Sequence, residues 1–284
     1  MSGASGDLTV LDLILEPLQY DFMVRALATT VIAAVLCSVL SCWLVLVGWS
    51  LMGDAVSHAV LPGVVLAYML GIPFAIGALV FGILAVVGIG TISATSRVKE
   101  DAAIGIVFTT LFALGLVLIS VTPSETDLNH IIFGNILGVS TTDLAQVGGL
   151  AAIGLVLLLA RRRDLTLYAF DPIQCHALGI STRLLRALLL GMLALTAVVS
   201  LQVVGVVLVV AMLIIPGATA YLLTDRFSRM LLIAPVVSAT CAVLGIYLSY
   251  WIDAASGGLV VVTQGVFFLV VYLVSPRHGV LARL

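Results

Sequence analysis

"LMGDAVSHAVLPG", Leu51 to Gly63, sets an aspartate and a histidine four residues apart in an overwhelmingly apolar chain. As a helix, the stretch puts Asp54 and His58 on one face, because side chains at i and i+4 are neighbours. If that helix crosses a membrane, it carries two ionisable groups where each costs about 2.5–3.5 kcal/mol on the lenient insertion scale. The rest of the chain decides between these settings. Of its 284 residues, 62% are hydrophobic and 9% charged, against about 25% charged in soluble domains. This is the composition of an integral membrane protein.

Apolar runs of the roughly 20 residues needed to cross a bilayer recur from Val24 to Val274. They predict an all-α, polytopic transmembrane helix bundle, a single domain over 1–284, with no soluble domain between the runs. The spans fall at Val24–Val47, Asp54–Leu70, Phe74–Ala94, Ala102–Val121, Asp143–Ala160, Leu184–Ser200, Val203–Leu222, Arg229–Ile252 and Leu259–Val274. That makes about nine, or eight if Leu184 to Leu222 is one broken helix rather than two spans sharing a turn near "SLQVVG". Basic residues gather in short cytoplasmic loops. Nine spans with the N-terminus outside and the C-terminus cytoplasmic place Arg97, Lys99, Arg161, Arg162, Arg163, Arg183, Arg186, Arg226, Arg229, Arg277 and Arg283 inside. Only Arg25 is then outside, which favours nine.

The acidic N-terminal segment, residues 1–23, lacks the basic region of a signal peptide. It reads as retained and extracytoplasmic, with Leu11 to Phe22 along the membrane surface. "LNHIIFGNILGVS", Leu128 to Ser140, is too short to span and too apolar for a free loop, so it reads as a re-entrant or surface helix, with Gly134 and Gly138 allowing close helix approach. Gly63, Gly71, Gly77, Gly82, Gly88 and Gly90 point the same way, toward a tightly packed bundle. Cys37, Cys42 and Cys241 lie in spans and Cys175 in a loop. They suggest neither a disulfide framework nor a CxxC metal site, and read instead as buried small hydrophobes.

Absences narrow the function. The only lysine, Lys99, has no GxxxxGK[ST] context, so ATP-driven work would need another subunit to bind the nucleotide. HExxH and GxSxG are missing, and no span carries an arginine array. For Asp54 and His58 two readings stand. Asp54 could be the N-cap of the second span and His58 a histidine bonded to a nearby carbonyl. Alternatively, a carboxylate oxygen and an imidazole nitrogen converge on one cation, a donor mixture that suits manganese, iron(II) or zinc over calcium or magnesium. A straight first helix would cross the roughly 30 Å core before Trp49, leaving Asp54 near the cytoplasmic surface unless that helix tilts or breaks at "WSLMGD". Pro62 and Gly63 loosen the helix after His58.

Other polar residues are weaker candidates. His130, with Glu125 and Asp127, either meets an arriving cation or belongs to a solvated acidic loop. Gln202 lines a cavity or caps a turn. Asp253 reads as an outer loop residue, and His278 as solvated. The charged cytoplasmic segment 161–183 contains "FDPIQCHALGIS", with Asp171 and Pro172 opening a short helix and Gly179 ending it. That helix either tidies a loop or docks a partner.

"LMGDAVSHAVLPGVVLAYMLG", "HIIFGNILGVS", "FDPIQCHALGIS" and "MLIIPGATAYLL", in this order, resemble the membrane permease subunit of the bacterial ABC-3 family of metal importers. The resemblance runs from about Leu15 to Val274. It implies a permease rather than an enzyme, working as a homodimer in the cell membrane with two ATP-binding cassette subunits and an extracytoplasmic metal-binding protein; nucleic acid is not an expected partner. It implies a transient metal site at Asp54 and His58 and a coupling helix over Phe170 to Ile180, with Asp171, Ala177 and Gly179 matching the family pattern. Gln174 and His176 depart from the residues more usual there. "FGNILGVS" is more similar to manganese and iron members than to zinc members. Rival readings are an ion-coupled secondary transporter, which the lack of an evident inverted repeat disfavours, and a membrane-embedded metal-dependent enzyme.

Overall fold

Twelve helices make up the described part of the chain, residues 16–121 and 136–275 of a computed structural model. They are α1 (Asp21–Val47), α2 (Ser50–Ala59), α3 (Leu61–Leu70), α4 (Phe74–Thr95), α5 (Glu100–Val121), α6 (Thr141–Ala160), α7 (Arg162–Phe170), α8 (Pro172–Ala177), α9 (Thr182–Val204), α10 (Val206–Leu223), α11 (Phe227–Ile252) and α12 (Ser256–Val274). Among the described residues there is no strand. Eight stretches are long and apolar enough to cross a membrane: α1, α2 with α3, α4, α5, α6, α9, α11 and α12. α10 adds a shorter apolar stretch, Leu208–Leu223, below that length.

The two spans expected around "SLQVVG" form a helical hairpin. Leu193 of α9 and Leu213 of α10 both approach Gly53, so the chain doubles back between them. Gly205 makes the turn, at φ 79° and ψ 164°, a backbone region that is essentially glycine-only.

The basic loops come together at one end. Arg186 of α9 pairs with Glu100 at the start of α5 and lies over Trp49, between α1 and α2. Trp43, near the end of α1, meets Phe227 at the start of α11. At the opposite end Tyr20 packs near Tyr250 of α11, and Arg25 Nε donates to the Val139 carbonyl at 3.1 Å. Asp253, taken from sequence as an outer loop residue, caps α11 at this end in a left-handed conformation. Asp21 and Phe22, expected along the membrane surface, instead open α1; residues 1–15 lie outside the described set. So does most of Leu128–Ser140. Its described end is a single turn, Ile136–Gly138, followed by Ser140, which caps α6 through a reciprocal pair with Asp143.

α1 is the centre of the core. Ala33, Leu36, Cys37, Leu40, Trp43 and Leu44 are fully buried, and Thr29 and Thr30 satisfy their hydroxyls on their own helix, at the Arg25 and Ala26 carbonyls. Pro216 interrupts α10 and cannot donate a backbone hydrogen bond. The next N–H, that of Gly217, donates to Ser41 Oγ of α1 at 3.1 Å. That hydroxyl in turn donates to the Ile214 carbonyl at 3.4 Å.

Small residues act at specific crossings rather than generally. A Cβ on Gly77 would strike the Gly63 carbonyl, and one on Gly63 the Gly77 carbonyl, so α3 and α4 touch backbone to backbone there. Gly90 faces open space. Gly77→Ala should therefore lower the melting temperature in detergent, since overpacking costs about 1–3 kcal/mol, whereas Gly90→Ala should not. Equal melting of both variants and the parent would refute this crossing.

A candidate metal site on a half-helix

The second span is two short helices. α2 ends at Val60, and Pro62 lies at the start of α3. Proline has no N–H to return to the carbonyl four residues back, which is that of His58. That carbonyl accepts the N–H of Val60 instead. At its other end α2 follows the left-handed cap Gly48 and has Trp49 as N-cap, with no side-chain cap bond. The span therefore begins at Ser50 rather than at Asp54. Asp54 is in the second turn and caps nothing, which removes the helix-cap reading.

Asp54 Oδ1 and His58 Nε2 lie 3.3 Å apart, with side chains 38% and 27% exposed. Met52, Gly53, Ala55, Val56, Ser57 and Ala59 are buried around them. The pair thus occupies the open edge of an otherwise enclosed half-helix. A metal bonded to both atoms at about 2.0–2.2 Å, as is usual for first-row ions with these donors, would see them roughly 100–110° apart. The spacing fits a single ion between the two atoms as well as a direct Asp–His contact.

Neighbouring helices show how deep the pair lies. A Cβ on Gly53 would sit 3.4 Å from Leu213 Cδ1 and 3.7 Å from Leu193 Cδ1. Leu193 is at the midpoint of α9 and Leu213 near that of α10. Asp54 is therefore level with the middle of two membrane helices, not at the bundle end. α1 runs about 40 Å at 1.5 Å per residue; the break at Gly48–Trp49 then turns the chain back inward.

Phe108 and Phe112 of α5 flank the imidazole, with ring centroids 5.5 and 5.4 Å away and the Phe112 ring near perpendicular. They limit ring rotation and shield one side of the pair from water. They do not stand out in a helix of Val, Leu, Phe and Ala, except that they too are four residues apart. Among the described residues no three His, Cys, Asp or Glu side chains gather into one site. His130, Glu125, Asp127 and His278 lie outside the described residues, and Gln202 is placed only as backbone in the last turn of α9.

The short helix expected over Phe170 to Ile180 is α8, and its chemistry is local. Asp171 Oδ1 accepts the Gln174 N–H at 2.9 Å, and Pro172 takes the first position. The far end closes with the Gly179 N–H on the His176 carbonyl and the Ile180 N–H on the Cys175 carbonyl, a Schellman motif. Cys175, placed by sequence in a polar loop and read with the other cysteines as a buried small hydrophobe, is fully buried in the main core. Pro172, Ile173, Gln174, His176 and Ala177 face outward, with Ile173 83% exposed. α7, which leads into it, was not apparent in the charged sequence; Leu165 anchors it in the core.

Comparison with known proteins places the chain in a family. The model of the ABC 3 transport family matches residues 19–275. The manganese transport system membrane protein MntB of Synechocystis is 50% identical over 95% of this chain and 88% of its own. A probable iron transport system membrane protein of Haemophilus influenzae is 50% identical over 91% of this chain and 96% of its own. Among solved structures, PsaBC from Streptococcus pneumoniae in complex with Fab is 39% identical, with a TM-score of 0.88 over 97% of this chain and 99% of that one. An inward-facing metal-chelate type ABC transporter, 18% identical, shares the fold with a TM-score of 0.72. With helices of this length and order, and with matches over nearly its whole length, the chain is a multi-pass membrane protein that belongs to the ABC 3 transport family.

Proposed function

We propose that this chain is the permease subunit of an ATP-driven importer of divalent transition metal ions, with manganese the favoured cargo and iron or zinc the alternatives. The observation that carries this reading is the Asp54–His58 pair, 3.3 Å apart, on the open edge of a half-helix at mid-depth. One hard oxygen and one borderline nitrogen favour first-row metals over calcium and magnesium. The manganese and iron in the names of relatives agree, while zinc has less direct support.

Two ligands are too few to trap an ion, and conduction requires that binding not be too tight. The exposed edge of α2 lets a second copy of the chain bring its own pair to the same ion, so a homodimer would complete the coordination. An extracytoplasmic metal-binding protein would deliver the ion. ATP is bound elsewhere, by two ATP-binding cassette subunits, and α8 is the surface on which they act. Its outward face and buried Cys175 suit a rigid handle gripped from outside. ATP binding and hydrolysis then switch the bundle between outward and inward openings.

Two measurements test this. In proteoliposomes containing the whole complex, Asp54→Ala and His58→Ala should each lower manganese uptake by more than roughly tenfold, since even indirect loss of ligand support costs about 10–100-fold in affinity. Parent-level uptake by both variants would sink the site. Separately, Ile173→Asp or a charge introduced at Gly179 should weaken co-purification of the ATPase or its metal-stimulated turnover. Unchanged values of both would remove α8 from the coupling role.

A further inference from the structure

The two helices that shape the site begin at one guanidinium. Arg186 Nη2 is 3.0 Å from Glu100 Oε1, and Glu100 is the first residue of α5, which carries Phe108 and Phe112. Arg186 Cζ is also 5.5 Å from the centre of the Trp49 ring, and Trp49 is the N-cap of α2, which carries Asp54 and His58. Trp49 also meets Tyr168 of α7, edge-on with ring centroids 6.5 Å apart. Burial raises the Tyr168 pKa, Arg186 opposes that rise and Glu100 adds to it, so all three side chains share one electrostatic neighbourhood. Tyr168 is two residues from the end of α7, which passes through the Asp171 cap directly into α8.

We infer that Trp49, in contact with Tyr168 and Arg186 with Glu100 steadying the guanidinium, is the positioning link that passes movement of the α7–α8 unit to the metal-binding half-helix. The geometry suits transmission. Trp49 is buried, and its backbone N–H donates to the Leu44 carbonyl at 2.8 Å, so a push on the packed ring is carried by the backbone at the start of α2. Arg186 and Glu100 are each more than a third exposed, and an exposed pair contributes little to stability. Their arrangement on the first residues of both site helices is better explained by alignment than by holding the fold together.

This inference rests on the reading of α8 as the ATPase contact and of Asp54 and His58 as the metal site. The test uses the intact complex in proteoliposomes, with manganese uptake and ATP hydrolysis measured together and manganese binding measured on the purified complex. Arg186→Gln and Glu100→Gln should bind manganese as the parent does, yet import less per ATP by about threefold or more, within the range seen for coupling positions. Arg186→Lys, which keeps a cation for both Trp49 and Glu100, should recover most of that ratio. An unchanged ratio in both Gln variants overturns the inference, as does a proportional fall in uptake and hydrolysis, which would mark a merely structural role. Asp54→Ala in the same assay separates the levels: if it imports like the parent, both the site reading and this inference fall. If it does not, while the Gln variants keep the parent ratio, only the inference falls.

Discussion

A carboxylate and an imidazole in the middle of an apolar bundle need a partner, and in this chain they are each other's. The cost of placing ionisable groups there is moderated by their spacing, which lets one helix supply both at 3.3 Å, and by an edge left open to solvent or to a second protomer. Most of the architecture serves that placement. α2 is short because Gly48 closes α1 before it and Pro62 opens α3 after it. At Gly53 it lies against Leu193 and Leu213, which sets it at mid-depth. Phe108 and Phe112 then wall in the imidazole from α5.

Lipid offers helices no hydrophobic reason to associate, so the bundle relies on close contact and on hydrogen bonds between helices. Both occur at defined points. The Gly63–Gly77 crossing joins α3 to α4, Gly217 and Ser41 join α10 to α1, and Gln264 donates to Ser238 between α12 and α11 at 3.3 Å. Apolar side chains on α4, α5 and α12 remain largely exposed, as suits surfaces that meet lipid or a second subunit.

Much of this was legible in the sequence, and the misses share a cause. Span positions follow from runs of apolar residues, and the caps of α8 follow from Asp171, Pro172 and Gly179, because each is a local signal. The doubling back at Gly205 was legible from charge, since Arg226 and Arg229 had to return to the basic end. Depth was not. Whether Asp54 lies at the surface or in the middle depends on contacts with Leu193 and Leu213, more than a hundred residues away, which no periodicity records. The same holds for Trp49, whose ring partners come from α7 and α9.

The hydroxyl of Ser41 has a mechanical meaning. Ordinarily a proline leaves a helix free to flex, but in α10 the neighbouring N–H is claimed by α1, so bending at Pro216 would tear an interhelical bond in a place where water cannot replace it. α1 and α10 are therefore tied together at the point where α10 would otherwise bend. Among the described residues, α2 has no side-chain hydrogen bond to another helix; its one hydroxyl bond, Ser57 to the Gly53 carbonyl, stays within it. The Asp54–His58 pair thus sits on a helix whose body is held to its neighbours by packing rather than by side-chain hydrogen bonds.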